Sequence, residues 1–145
     1  MWSGSDRHRA AGVLLAAYSL FLAFVLLNPS ADVPSSSVRR LSELGTWLHL
    51  PGVLVRPDRV EFILNVLIVA PVPFLGSLLV PRLGWREWTA YAFVASGLVE
   101  LCQGLFLPAR SATFSDVVAN TGGALVGAVA FAALSRVLAH GRGRG

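Results

Sequence analysis

Residues 100–127 read ELCQGLFLPARSATFSDVVANTGGALVG, two largely apolar segments separated by a short turn. Within them lie two acids, two amides and one arginine: Glu100, Gln103, Arg110, Asp116 and Asn120. Ionisable and amide side chains are rare at membrane depth and mark functional sites when they occur there. We therefore treat these two segments as the centre of the chain and the remaining segments as their support.

The composition of the 145 residues is that of a single membrane domain, residues 1–145. Apolar residues make up 54% of the chain and charged residues 14%, whereas soluble domains carry about 25% charged residues. All 12 basic residues are Arg, and most lie near the ends of apolar segments. Arginines at such positions set topology and meet lipid head groups, so the net charge of +4 does not indicate nucleic-acid binding.

Four apolar segments are long enough to cross a bilayer, which takes about 20 residues. They cover residues 10–27, 60–80, 88–107 and 116–136. The sequence thus predicts an all-α fold, a four-helix transmembrane bundle with a long loop between the first and second helices. A cleaved signal peptide is the alternative for the first segment, because basic residues precede it and small residues follow it. Its length favours a retained anchor.

The connection between the first two spans divides by composition. Pro34 and the serines at 35–37 predict a loop. From Val38 onward, Leu41, Leu44 and Leu48 recur at helical spacing, which predicts a short amphipathic helix on the membrane surface.

Two further features shape the spans themselves. Pro71 and Pro73 lie inside the second span, where a missing backbone donor predicts a kink. Pro108 ends the third span, and Ser115 is the expected N-cap of the fourth, with Asp116 in its first turn.

The arginine distribution predicts the orientation. With four spans, the N-terminus, the 81–87 link and the C-terminal tail share one side and hold seven arginines. The other side holds five. The positive-inside rule then places both termini in the cytoplasm of a multi-pass cell-membrane protein.

The same topology brings the polar residues to one level. Asn65 lies five residues beyond the start of the second span, Gln103 four before the end of the third, and Asn120 four beyond Asp116. At a rise of about 1.5 Å per residue, these three amides lie about 6 to 8 Å below one membrane surface, with Glu100 about one turn deeper. We expect them to line a small polar pocket that opens to the outside.

Spacing on the fourth span predicts how it packs. Asp116, Asn120, Gly123 and Gly127 fall on a single stripe of a helix. Small residues four apart allow another membrane helix to approach closely. Gly123 and Gly127 are therefore expected to be packing positions that draw Asn120 and Asp116 toward a neighbouring helix.

Each polar residue also has a purely structural interpretation. Asp116 complements a helix N-terminus, and Glu100 forms a structural salt bridge with Arg110. For the three amides the alternative is hydrogen bonding between helices: Asn65, Gln103 and Asn120.

The order Glu100-x-x-Gln103, Arg110, Asp116-x-x-x-Asn120-x-x-Gly123-x-x-x-Gly127 resembles the signature of the VanZ-like family of small bacterial membrane proteins. Asn65 followed by Pro71 is similar to that family's second-span motif, although Pro73 stands where the family usually has Gly. The family is named for a protein that gives low-level teicoplanin resistance, a form of antibiotic resistance, without altering the peptidoglycan termini. Its biochemical activity is not established. The resemblance implies that the shared residues are functional positions.

The first hypothesis for function is a non-enzymatic cell-envelope factor that modulates glycopeptide susceptibility. It would bind membrane lipids through an anionic head group, such as that of a lipid-linked cell-wall precursor, or bind a lipoglycopeptide. Arg110 would meet phosphate or carboxylate, which suit its bidentate geometry. The binding residues would be Asn65, Glu100, Gln103, Arg110, Asp116 and Asn120.

The second hypothesis is a membrane-embedded enzyme that modifies a lipid head group. Glu100 would act as general acid or base while Asp116 stays ionised near water. The layer contains no nucleophile–base set and no metal-ligand cluster, so we expect neither a metal nor a cofactor and place catalysis second. A small transporter ranks third, because the first and fourth spans carry no polar groups near the inner side.

Overall fold

The computed structural model describes residues 4–27, 32–107 and 113–142, which form six α-helices and no strand. The helices are α1 (Gly4–Leu27), α2 (Asp32–Trp47), α3 (Pro57–Val69), α4 (Pro71–Leu79), α5 (Trp85–Phe106) and α6 (Phe114–Arg142). Four stretches are long and apolar enough to cross a membrane: His8–Leu26, Pro57–Leu79, Trp85–Phe106 and Phe114–Gly141. The predicted all-α, four-span membrane bundle is confirmed, with α3 and α4 together forming the second span.

Burial is inverted relative to a soluble protein. The buried polar side chains are Ser77, Ser96, Glu100, Gln103 and Asn120, whereas large apolar residues such as Leu98, Leu101 and Leu105 are more than half exposed. The two serines donate to backbone carbonyls four residues earlier in their own helices. Such an arrangement suits a hydrocarbon solvent, in which polar groups find their partners inside the bundle.

The second span breaks at Ala70, between α3 and α4. Pro71 and Pro73 have no backbone N–H, so the carbonyls four residues earlier, those of Leu67 and Val69, lose their usual helical donors. Between these two, the carbonyl of Ile68 accepts a hydrogen bond of 2.6 Å from the hydroxyl of Tyr18 on α1. The predicted kink is thus confirmed, and the first span supplies a donor to the broken turn.

Helix α6 is the central element, packed against α3, α4 and α5. Gly123 lies directly against the backbone carbonyl of Val66, and Gly127 against that of Ala70. A Cβ on Gly127 would overlap the Ala70 oxygen and lie 3.0 Å from Cγ of Pro73. The two glycines allow the fourth span to touch the backbone of the second one turn before the kink and at the kink itself.

Helix α2 differs from the loop predicted for its first part. It begins at Asp32, so Pro34 and residues 35–37 are helical and the loop prediction there is wrong. Pro34 falls in the first turn, where a backbone N–H has no helical acceptor and its absence carries no penalty. Farther along, Val38 is buried while Leu41 and Leu44 are exposed.

Candidate functional site

Hydrogen bonds join three spans where α6 begins, near the end of α5 and in the second half of α3. The amide Nδ2 of Asn65 donates to Oδ1 of Asp116 at 2.7 Å. The hydroxyl of Thr113 donates to the other oxygen, Oδ2, of Asp116 at 2.8 Å. The backbone N–H of Thr113 donates to Oε2 of Glu100, also at 2.8 Å. We call these four residues, Asn65, Asp116, Thr113 and Glu100, the polar relay.

Thr113 is the N-cap of α6. It directly precedes the first helical residue, and its Oγ1 accepts a 3.2 Å hydrogen bond from the backbone N–H of Asp116. That is the bond an N-cap threonine makes to the third residue of a helix. The expectation that Ser115 caps this helix is therefore wrong, since Ser115 lies one residue inside it.

Glu100 of α5 accepts the hydrogen bond from the N-cap backbone N–H that an acid on α6 would ordinarily accept. In a capping box the acid at the third helical position, here Asp116, accepts from the backbone N–H of the N-cap. In this structure that N–H binds Glu100 instead. Both oxygens of Asp116 are left for side-chain donors, and the start of α6 is held by the end of α5.

The two carboxylates of the relay differ in environment. The side chain of Glu100 is buried, with 9% of its residue surface exposed, while Asp116 is half-buried. Both carboxylates bond to the same residue, Thr113. That Glu100 lies about one helical turn deeper in the membrane than the three amides remains a prediction.

Gln103 lies one helical turn from Glu100 on α5, but its side chain donates its hydrogen bond to a residue outside the polar relay. Its Nε2 donates to the backbone carbonyl of Leu26 at 2.6 Å. Leu26 is in the last turn of α1, where carbonyls have no donor within the helix. Gln103 therefore ties the end of the first span to the third, which is an interhelical role and leaves a binding role for this residue a prediction.

Asn120 is brought close to the site but not into the relay. It is 4% exposed, and its Oδ1 has no hydrogen-bond partner among the described residues. It lies one helical turn beyond Asp116 and lines a cavity of about 240 Å³ inside the bundle. Gly123 and Gly127 continue the same buried stripe.

Arg110, predicted to meet an anion, lies outside the described residues. Among those that are described, no three His, Cys, Asp or Glu side chains converge as metal ligands. The predicted binding and catalytic roles of these residues remain predictions, with the positions of all but Arg110 now known.

The sequence did not identify two residues that form hydrogen bonds between the spans, Thr113 and Tyr18. Thr113 precedes Asp116 by three residues, and this spacing of a threonine and an acid at a helix start is a signal that could have identified it. Tyr18 had no comparable signal, because a tyrosine in an apolar span gives no indication of which distant carbonyl it will meet.

Comparison with known proteins gives one match. The sequence model of the family described as VanZ/LLP1 matches residues 14–136. No curated protein and no solved structure matches the chain. The matched range runs from the middle of α1 through most of α6 and contains every residue of the polar relay.

Proposed function

The chain belongs to the VanZ/LLP1 family, and from that premise we propose that it binds the anionic head group of a lipid at the polar relay. A lipid-linked cell-wall precursor is the lipid that best suits the site. The protein itself is a membrane protein of the cell envelope with four spans. In this proposal it is a binding factor and the relay faces outward.

The observation that carries the proposal is the way Thr113 links Glu100 to Asp116. Two carboxylates on different helices are fixed by hydrogen bonds to the same residue. In this proposal, the lipid head group meets that end of the bundle. Structural capping of α6 requires neither contact, because the capping bond is the one that Oγ1 of Thr113 accepts from the backbone N–H of Asp116. The additional acid fixed at this level supports a role in recognition.

The head group suited to this site carries both phosphate and hydroxyl groups. Arg110, which lies between α5 and α6 in the sequence, would supply a bidentate donor for phosphate. A carboxylate accepts about four hydrogen bonds, and the bonds from Asn65 and Thr113 occupy two of those at Asp116. Sugar or glycerol hydroxyls can use the remaining acceptor sites, so a sugar phosphate or glycerol phosphate fits better than a simple anion.

Modulation of glycopeptide susceptibility would follow from such binding. A protein that holds a lipid-linked cell-wall precursor changes how much of it is free at the outer surface. Drugs that bind these precursors or insert beside them would then meet a different target concentration, without any change in the chemistry of the cell wall.

A second candidate is an enzyme that modifies the lipid head group. It is favoured by the unequal burial of two carboxylates that share Thr113 as a partner. Glu100 would be the general acid or base, and Asp116 would remain ionised and orient the substrate.

Binding of a labelled lipid-linked precursor to the purified protein in nanodiscs tests the proposal. Saturable binding without a new product is expected, and conversion of the label would favour the enzyme instead. The variant Glu100→Gln keeps an oxygen that accepts from Thr113 but removes the charge. It should weaken binding about tenfold, the loss expected for one charge-assisted hydrogen bond.

Leu101→Ala is the matched control, because Leu101 is the next residue on α5 and is 57% exposed on its outer face. It should bind like the unaltered chain. If Glu100→Gln binds normally and gives normal glycopeptide susceptibility while Leu101→Ala does not, the polar relay is not the binding site.

A further inference from the structure

A cavity of about 240 Å³ lies between the four spans, directly below the polar relay. Its wall includes Leu22 of α1, Val72 of α4, Ala92 of α5 and Asn120 of α6. The wall is almost wholly apolar. Apolar cavities of about 150 Å³ stay dry and bind benzene, so this larger one has room for a longer stretch of hydrocarbon.

The shape and opening of the cavity suit a chain that enters from the bilayer. Its lining residues on α5 extend from Trp88 to Val99, about 16 Å along the helix at 1.5 Å per residue. Tyr91 and Ala95 line the cavity and are also exposed on the outside of the bundle. The cavity therefore reaches the lipid-facing surface along α5.

Asn120 stands at the end of the cavity nearest the relay. It is more than nine-tenths buried, and its Oδ1 has no partner among the described residues. A buried amide in this state is destabilising unless something bonds to it. A half-turn about its last side-chain bond exchanges donor and acceptor, so it can bond to either a hydroxyl or an ester carbonyl.

We propose that this cavity holds the hydrocarbon tail of one membrane lipid, and that Asn120 bonds to the ester or hydroxyl group where the tail joins the head. The inference rests on the proposed function in one respect, namely that the head of the same lipid lies at the polar relay. A cluster of waters is a poorer occupant, because a buried water needs two to four polar partners.

Under this proposal the protein selects its lipid by the tail as well as by the head group. The relay selects for phosphate and hydroxyls, and the cavity selects for a tail that fits along α5. Asn120 sits between them, one turn beyond Asp116 on α6 and in the wall of the cavity.

The test uses the full chain in phosphatidylcholine vesicles that contain phosphatidylglycerol with a photoactivatable diazirine in one acyl chain. After illumination, labelled residues are mapped by mass spectrometry. Label is expected on cavity residues such as Val72 and Ala92. Ala95→Phe fills the mouth of the cavity and should lower cavity labelling roughly tenfold, the loss expected when about two methylenes are no longer buried.

Ala90→Phe is the matched control, since Ala90 is an exposed alanine of α5 that does not line the cavity. It should leave the labelling unchanged. Label confined to outer residues such as Phe93 and Leu98 overturns the inference. The map from the unaltered chain decides this point even if Ala95→Phe does not fold.

A second arm moves the diazirine to phosphatidylcholine and separates the two proposals. Cavity labelling that favours phosphatidylglycerol, with the preference lost in Glu100→Gln, supports both. Cavity labelling without any head-group preference supports the tail site and contradicts the proposed function. A head-group preference without cavity labelling overturns the tail site alone.

Discussion

The amide of Asn65 lies 2.7 Å from a carboxylate oxygen of Asp116, although 51 residues separate them in the chain. This bond joins a residue eight positions inside the second span to the start of the fourth. The second oxygen of Asp116 is held by Thr113, whose backbone in turn binds Glu100 of the third span. One acid therefore connects three of the four spans at the end of the bundle where a ligand is proposed to bind.

The coupling between Asn65 and Asp116 should be measurable. In a double-mutant cycle of Asn65→Ala and Asp116→Ala, we expect a coupling energy of about 1 to 2 kcal/mol. That value lies above the average of about 0.6 kcal/mol for hydrogen bonds between membrane helices, because the acceptor is charged. The free energy of unfolding in a denaturing detergent titration gives the four values required. A coupling near zero would mean that the two side chains do not bond in the membrane.

The assignment of Thr113 as N-cap predicts different effects for two neighbouring hydroxyl residues. Thr113→Ala should lower the free energy of unfolding by about 1 kcal/mol, the usual loss on removing a cap. Ser115→Ala should leave it nearly unchanged, because Ser115 lies inside the helix. Thermal unfolding in mild detergent compares the two. The opposite ranking of the two variants would restore Ser115 as the cap.

Close contact between α6 and the kinked span predicts the response to added methyl groups. Gly127→Ala places a methyl on the Ala70 carbonyl and should destabilise the bundle by about 1 to 3 kcal/mol.

Gly122→Ala on the same helix is the control, since its added methyl would lie 4.0 Å from the nearest atom, Cγ2 of Val66. It should be neutral, or stabilising by up to about 1 kcal/mol through helix propensity. The same detergent titration measures both glycine variants, and equal effects would contradict the close packing at Gly127.

The hydroxyl of Tyr18 should contribute to the stability of the kink. Tyr18→Phe removes the donor to the Ile68 carbonyl and should destabilise the fold by about 0.6 kcal/mol, with about 1.7 kcal/mol as the upper limit. Amide exchange at the C-terminal end of α3 should also increase. Tyr91→Phe makes the same chemical change at a ring that is 57% exposed and should alter neither quantity. Loss of stability in both variants would point to a general effect of the hydroxyl.

Sequence reasoning predicted the parts of the fold that depend on local pattern. The four spans follow from apolar length, and the break at Ala70 follows from Pro71 and Pro73. The start of α2 was missed, because proline and serines usually indicate a loop and are also tolerated in a first helical turn.

The residues of the site were predictable from the sequence, but their pairing was not. Counting residues along the spans predicts a common depth for Asn65, Gln103 and Asn120. In the structure Asn65 bonds to Asp116, one turn before Asn120 on α6, while Gln103 bonds to Leu26 and Oδ1 of Asn120 has no partner among the described residues. Depth depends on where each span begins as well as on the rise of a helix. Pairing depends on how each helix is rotated about its axis, and this is set by contacts such as that of Gly127 with Ala70, which single-span patterns do not encode.

The bond between Tyr18 and Ile68 has a consequence for biogenesis. Chains enter the membrane from the N-terminus during synthesis, so the first helix is in the bilayer before the proline-broken second helix leaves the ribosome. The Tyr18 hydroxyl, which donates to the interrupted turn, is then present before the third and fourth helices have been synthesised. The order of translation thus brings the Tyr18 hydroxyl into the bilayer ahead of the turn that Pro71 and Pro73 interrupt.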